Sequence, residues 1–230
     1  MNYFNFKEVY VDGGKRVLEV NILPEKYCNF DCVFCPVGRS KIKAAAPASF
    51  EPIDDSLVTL GQKMEETNAD LVFINSKGEG ILHGKILQIA DFVKSKGALV
   101  KLFSNGYLLG RPEYMAIANQ FDEVVGELKI ITEEAFQKLQ RPVDGYTLQE
   151  YIDNMSNFKK QYKGIFILEP TIVHGYNDDD ASLEKVKAAI ATIAPDKLEV
   201  ARIDDDKFKK KLGLPDDRFK EIKDFLEGNK

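Results

Sequence analysis

Histidine and cysteine are scarce in this chain of 230 residues: there are two histidines and three cysteines. His83 and His174 sit at no local ligand spacing, which argues against a zinc site built from paired histidines and cysteines. No basic segment followed by an apolar stretch opens the chain, and no apolar run reaches membrane-span length. A secretory signal and a membrane anchor are therefore not expected, and the expected location is cytoplasmic. An excess of positive charge is also lacking. Lysine and arginine total 32 against 37 aspartates and glutamates, a formal net charge of −5, so no general affinity for nucleic acid is expected. The densest basic spot, Lys209-Lys210-Lys211, follows Asp204-Asp205-Asp206 closely and reads as a solvated mixed-charge face.

What is present is a large apolar fraction, 44%, enough for a sizeable core. Strand-like runs fall at 17–23, 71–75, 99–104, 123–130, 164–173 and 197–203. Helical patterns lie between them at about 54–67, 84–97, 111–120, 132–140, 147–162 and 179–194, with a last helix at about 216–227. Six strands, each followed by a helix, predict a mainly parallel sheet. Most of these strands are nearly continuously apolar, which predicts a sheet covered on both faces. Asp12-Gly13-Gly14 separates two strand-like runs and suits the turn of an initial hairpin. No linker or internal repeat divides the chain, which reads as one domain over 1–230.

In such sheets the carboxyl ends of the strands carry the chemistry. Four distinctive segments follow strands directly: "KYCNFDCVFCPVGRS" (26–40), "SKGEG" (76–80), "SNG" (104–106) and "HGYNDDD" (174–180). All four are therefore expected on one rim.

The first holds every cysteine, spaced Cys28-x3-Cys32-x2-Cys35. An odd number of clustered cysteines in a chain with no secretory signal reads as metal or redox ligands, not a disulfide framework. Three thiolates on a [4Fe-4S] cluster leave one iron free for a small chelating molecule. This spacing, with the aromatic Phe34 just before the third cysteine, resembles the radical SAM superfamily. The resemblance implies an α/β fold, a partial (β/α)6 TIM-like barrel with the hairpin at its N-terminus. It also implies a [4Fe-4S] cluster on Cys28, Cys32 and Cys35, with S-adenosylmethionine on the open iron.

By the same resemblance, Gly78 and Glu79 stand where the family has a Gly-Gly-Glu-Pro segment that receives the methionine amino group. The match is partial, with Lys77 and Gly80 at its outer positions. Ser104 and Asn105 stand where short polar side chains contact ribose or carboxylate. Glu127-Leu128-Lys129 resembles the Asp-Leu-Lys of glycyl-radical activating enzymes, which implies Glu127 on ribose hydroxyls and Lys129 on the methionine carboxylate. Strand alternation puts Glu127 and Lys129 on one face, so a simple ion pair between them is the competing reading. His174 would face adenosine or substrate, or else be structural. His83 reads as local structure, the Asp178-Asp179-Asp180 run as helix capping, and Arg141 either as an anion contact or as a helix cap.

Residues 8–203 further resemble a wyosine-synthetase-like branch of the superfamily. Wyosine synthesis itself uses a second cluster, and no further cysteines exist here. It also uses a C-terminal RNA-binding extension, and this chain ends about 27 residues past the sixth strand. Three functions are carried forward. One is a radical SAM enzyme acting on an unidentified substrate, with nucleotide or RNA as a candidate class. The second is an activase for a glycyl-radical enzyme, and the third a non-catalytic iron–sulfur protein. The expected partners are S-adenosylmethionine, an electron donor such as flavodoxin or ferredoxin, and that substrate.

Overall fold

The computed structural model describes residues 2–40, 43–44 and 46–228. Its centre is a curled sheet whose consecutive strands are β3 (Lys15–Asn21), β4 (Leu71–Ile74), β5 (Leu99–Ser104), β6 (Glu123–Leu128), β7 (Ile165–Ile172) and β8 (Lys197–Leu198), all parallel. A short β9 (Ala201–Arg202) continues the outer edge on β7. The result is a half-barrel, a partial TIM-like barrel. At its N-terminal edge β1 (Asn5–Phe6) and β2 (Tyr10–Asp12) both run antiparallel to β3. The hairpin expected at Asp12-Gly13-Gly14 is there: Asp12 pairs with Lys15, and Gly13 and Gly14 both take positive φ, as a two-residue turn of the primed type demands. β1 carried no signal in the sequence, being two residues long.

Alternation along the strands sorts two different faces. Leu18, Val20, Val72, Ile74, Val100, Leu102, Val124, Phe166 and Leu168 are buried beneath the helices. The helices meet them with apolar stripes at helical spacing. α1 (Asp54–Thr67) supplies Leu57, Leu60 and Met64, and α2 (Ile86–Ser95) supplies Ile86, Ile89, Ala90 and Val93. α3 (Pro112–Ala118) adds Tyr114 and Met115. After the single turn of α4 (Glu133–Ala135), α5 (Leu148–Gln161) adds Tyr151, Met155 and Phe158, and α6 (Asp180–Ile193) adds Leu183, Val186 and Ile193. Beyond β9 come α7 (Lys209–Leu212) and α8 (Asp216–Glu227), the latter packed on α6.

The concave face corrects the expectation of a sheet covered on both sides. It carries Glu19, Lys101, Glu123, Glu127 and Glu169 among Phe73, Phe103 and Ile167, and it borders two cavities where a second helical layer would lie. The outer strand, expected as one run over 197–203, is two short pieces. Glu199 N donates to Leu168 O and Asp196 N to Phe166 O, so even-numbered residues of β7 turn their backbone toward that strand. Pro170 is next in the series and has no N–H to give, and the outer strand breaks beside it. The helix expected at 132–140 is one α turn followed by a π turn over Phe136–Gln140, closed by Arg141 N donating to Phe136 O.

His83 is local structure, as its sequence context indicates. Its Nδ1 accepts the Lys85 amide at 3.0 Å, which leaves Nε2 as the protonated nitrogen facing Tyr3 Oη at 3.1 Å. Tyr3 Oη donates on to Phe50 O at 2.7 Å, so one buried ring ties the N-terminal segment to the loop before α1. Burial pushes the imidazole down to about 4. The unfolded chain protonates this histidine near its ordinary value of about 6.5 while the folded chain resists until about 4. Protons therefore favour the unfolded state between those values, and stability is lost as pH falls through that window. Urea denaturation of the metal-free chain at pH 7 and 4.5 should show wild type losing about 2–3 kcal/mol more than His83→Gln.

Candidate functional site

The loop from β3 to α1 leaves the carboxyl edge of the sheet and is held there by backbone contacts more than by secondary structure of its own. Tyr27 N donates to Lys77 O at 3.2 Å and Glu79 N to Tyr27 O at 2.9 Å, so the loop crosses the end of β4 at Gly78. Gly78 has φ +138, and a Cβ there would lie 2.1 Å from Tyr27 O. Only glycine permits that approach. On its other side the loop is gripped by the π turn: Asp31 N donates to Gln140 O at 3.1 Å, Val33 N to Leu139 O at 2.8 Å, and Val143 N to Asn29 O at 3.0 Å. Phe30 is the apolar anchor, with its ring edge-on to Tyr107, Phe136 and Tyr151. Asp31 is the polar one, accepting from Arg39 Nε and Ser40 N, both at 2.7 Å. Burial works against its charge, but these donors hold its carboxyl below the usual carboxylate range.

This brings Cys28, Cys32 and Cys35 to one wall of a cavity of about 440 Å³. Gly78, Asn105, Glu127 and Lys129 line it as well. The Cys28 sulfur accepts from Phe30 N at 3.4 Å and has Asn105 Nδ2 at 3.7 Å. Asn105 Nδ2 also donates to Asn29 Oδ1 at 2.6 Å. Burial pushes the Cys28 thiol up, and the Cys32 thiol up to about 12 with the Lys129 cation pulling it back. Among the described residues no three Cys, His, Asp or Glu side chains converge on a single ion position.

Lys129 Nζ and Glu127 Oε1 form a close ion pair, and Thr171 Oγ1 lies 3.5 Å from the same carboxylate oxygen. The ammonium stands 5.7 Å from the centre of the Phe34 ring, which is itself buried. Burial disfavours its charge, yet Glu127 and Cys32 keep its pKa above the ordinary lysine value. The hydroxyl of Tyr151 lies against both Asn105 O and Glu127 O and so joins the ends of β5 and β6.

The other expected residues stand elsewhere. Glu79 is fully buried with its carboxylate turned into the fold, accepting Asn105 N at 2.7 Å and Ile81 N at 3.4 Å. Burial pushes it up to about 7 against those amides. Ser104 Oγ accepts Gly106 N at 3.0 Å and likewise does not line the cavity. His174 is exposed, held by Asp178 at 2.7 Å, and stands away from the cavity. Asp179 caps α6 by accepting Ser182 N at 3.0 Å. Arg141 takes the left-handed conformation that ends the π turn, and its Nε donates to Lys138 O at 3.2 Å, so it is a cap. Sequence reasoning missed Lys7, Glu19, Asn21, Asn75 and Phe103, which also line the cavity. Glu19 and Asn21 were findable, because alternation puts two polar side chains of β3 on one face.

The sequence profile described as the radical SAM superfamily matches residues 22–185. A half-barrel with its three-cysteine loop on the carboxyl rim is the form this class takes, and the chain belongs to that superfamily: it is a radical SAM enzyme. Membership implies S-adenosylmethionine and an iron–sulfur cluster. Among relatives, a UPF0026 protein of Helicobacter pylori is 24% identical over 93% of this chain and 70% of its own length. Another UPF0026 protein, of Methanocaldococcus jannaschii, is 23% identical over 79% of this chain and 58% of its own. The fold is similar to that of TYW1 with a lysine-pyruvate adduct bound, at TM-score 0.68 and 15% identity over 94% of this chain and 74% of that one. It is also similar to a radical SAM methyltransferase from Sphaerobacter thermophilus, at TM-score 0.67 and 12% identity over 100% and 75%.

The crossing at Gly78 yields a direct test. Gly78→Ala should lower stability by about 3 kcal/mol or more, since the new Cβ meets backbone and the φ is unfavourable, and should displace the cysteine loop from the end of β4. Urea denaturation measures the first effect. Iron retained per chain after anaerobic reconstitution measures the second, and it should fall well below wild type.

Proposed function

We propose that Cys28, Cys32 and Cys35 hold a [4Fe-4S] cluster and that the cavity before them binds S-adenosylmethionine. The observation that carries this reading is the placing of three thiols, the Gly78 backbone and the Glu127–Lys129 pair on one cavity. The donor set fits the group: three soft sulfurs leave one iron for the amino-acid end of the cosubstrate. Held by Cys28, Cys32 and Cys35, the cluster would supply the electron for reductive cleavage of the sulfonium to methionine and a 5′-deoxyadenosyl radical, the species that would take hydrogen from a substrate.

The chain's own residues bind, orient and exclude solvent. The buried thiols must give up protons to ligate, so loading releases protons and improves as pH rises. Lys129 offers its ammonium to the methionine carboxylate, which frees Glu127 to accept from the ribose hydroxyls. Asn105 Nδ2 faces the Cys28 sulfur, Phe34 packs beneath the Lys129 ammonium, and Gly78 presents bare backbone to the cavity for the amino group. Glu79 and Ser104 act one step back, by holding the backbone at Asn105, Ile81 and Gly106. A low-potential flavodoxin- or ferredoxin-type protein supplies the electron.

The wyosine-synthetase-like affinity of residues 8–203 is supported by the likeness to TYW1. At 15% identity that likeness is one of fold, and tRNA chemistry is not carried over with it.

Anaerobic reconstitution should yield about four irons and four sulfides per chain. The reduced protein should release 5′-deoxyadenosine from S-adenosylmethionine, and Cys32→Ala should release none. Lys129→Met and Glu127→Gln should each weaken S-adenosylmethionine binding about ten- to a hundredfold, with iron content near wild type. Normal binding with lowered stability in both variants would mark the pair as structural.

A further inference from the structure

The concave wall follows a rule with one exception. Glu19 is met by Lys7 Nζ at 2.5 Å and by Asn75 Nδ2 at 2.9 Å. Glu123 is met by Lys15 Nζ at 2.8 Å, with Lys101 Nζ at 3.9 Å. Glu127 is met by Lys129. Each half-buried or buried carboxylate has a lysine ammonium. Glu169 has no hydrogen bond and no ion pair among the described residues. It stands beside Glu127 in register on the adjacent strand, a separation of roughly 5 Å between backbones. Exposed Glu199 further along the wall has water as its partner; Glu169 is only half exposed to it.

The charges that act on Glu169 are Glu127, Lys129, Glu199 and Lys101. Both lysines in that set are already committed, Lys129 to Glu127 and Lys101 to Glu123. Burial and the Glu127 carboxylate push Glu169 up to about 7. It lines neither cavity itself but stands on the stretch of β7 between them. Glu127 next to it lines the large one, and Ile167, two residues earlier on the same face, lines a lower one of about 160 Å³. A carboxyl held half out of water without a cation is costly, and a ligand that brings the cation offsets that cost.

We infer that Glu169 is a substrate-binding residue that receives a primary ammonium, so that the substrate is a small amine. The ligand's ammonium completes the pairing that lysines supply to every other buried carboxylate on this wall. Its size is limited because the cavity of about 440 Å³ beside Glu169 also takes the cosubstrate. This inference rests on the radical SAM site proposed above and names the chemical class that it acts on.

The test is a ligand-observed NMR titration at pH 8, above the value of about 7 to which burial raises Glu169. The protein is anaerobically reconstituted and saturated with S-adenosylmethionine, and the probes are n-butylammonium and n-butanol. Wild type should bind n-butylammonium about tenfold or more tightly than n-butanol. Glu169→Gln should lose that preference, while its iron content and its affinity for S-adenosylmethionine stay within about twofold of wild type. Equal n-butylammonium affinity in wild type and Glu169→Gln would overturn the inference, as would a wild type that prefers n-butanol or binds neither probe. If wild type binds no S-adenosylmethionine, the proposed function fails and takes the inference with it. If the cosubstrate binds and is cleaved but the ammonium shows no dependence on Glu169, the inference alone fails.

Discussion

Tyr27 and Gly78 meet backbone to backbone, closer than any side chain would allow. That crossing decides where the cysteine loop lies. It fastens the loop to the end of β4, while the π turn before Pro142 fastens it from the other side. Between the two clamps the chain has little freedom, so three thiols separated by only a few residues reach one cavity wall. The same crossing turns the Glu79 carboxylate inward, where it receives the Asn105 amide and carries the constraint from the end of β4 to the end of β5.

The second organising fact is the difference between the two faces of the sheet. The outer face is apolar and covered by helices, and it contributes the core burial that stabilises the fold. The inner face is charged and borders cavities. Charges in such a place are tolerated when paired, because the opposite charge and the remaining hydrogen bonds stand in for lost water. Lys15, Lys101, Lys7 and Lys129 perform that service for their glutamates. A pairing of this kind is also exchangeable, and the proposed function draws on that at Lys129 and Glu127.

Much of this was legible in the chain itself. Period-two and period-3.6 patterns located the strands and helices, and Asp12-Gly13-Gly14 announced its turn because few residues take positive φ twice in succession. The cysteine spacing pointed to the rim and to the family. Other features were not legible. The break at Glu199–Val200 depends on Pro170, which lies on a neighbouring strand some thirty residues away in sequence. The inward turn of Glu79 depends on an amide of β5. His174 looked available beside a strand end, but Asp178 four residues on draws it outward.

The sequence by itself determined the element order, the parallel half-barrel and the gathering of cysteines, Gly78, Asn105, Glu127 and Lys129 at one edge. Local periodicity and right-handed crossovers give the order and the parallel sheet, and the resemblance carried by the cysteine motif supplies the half-barrel and the residues at its edge. Only the tertiary structure decided which of those side chains face the cavity, which carboxylates have lysine partners and which one has none. Pairing across strands joins residues such as Lys15 and Glu123, or Glu127 and Glu169, through the sheet's register and not through proximity along the chain.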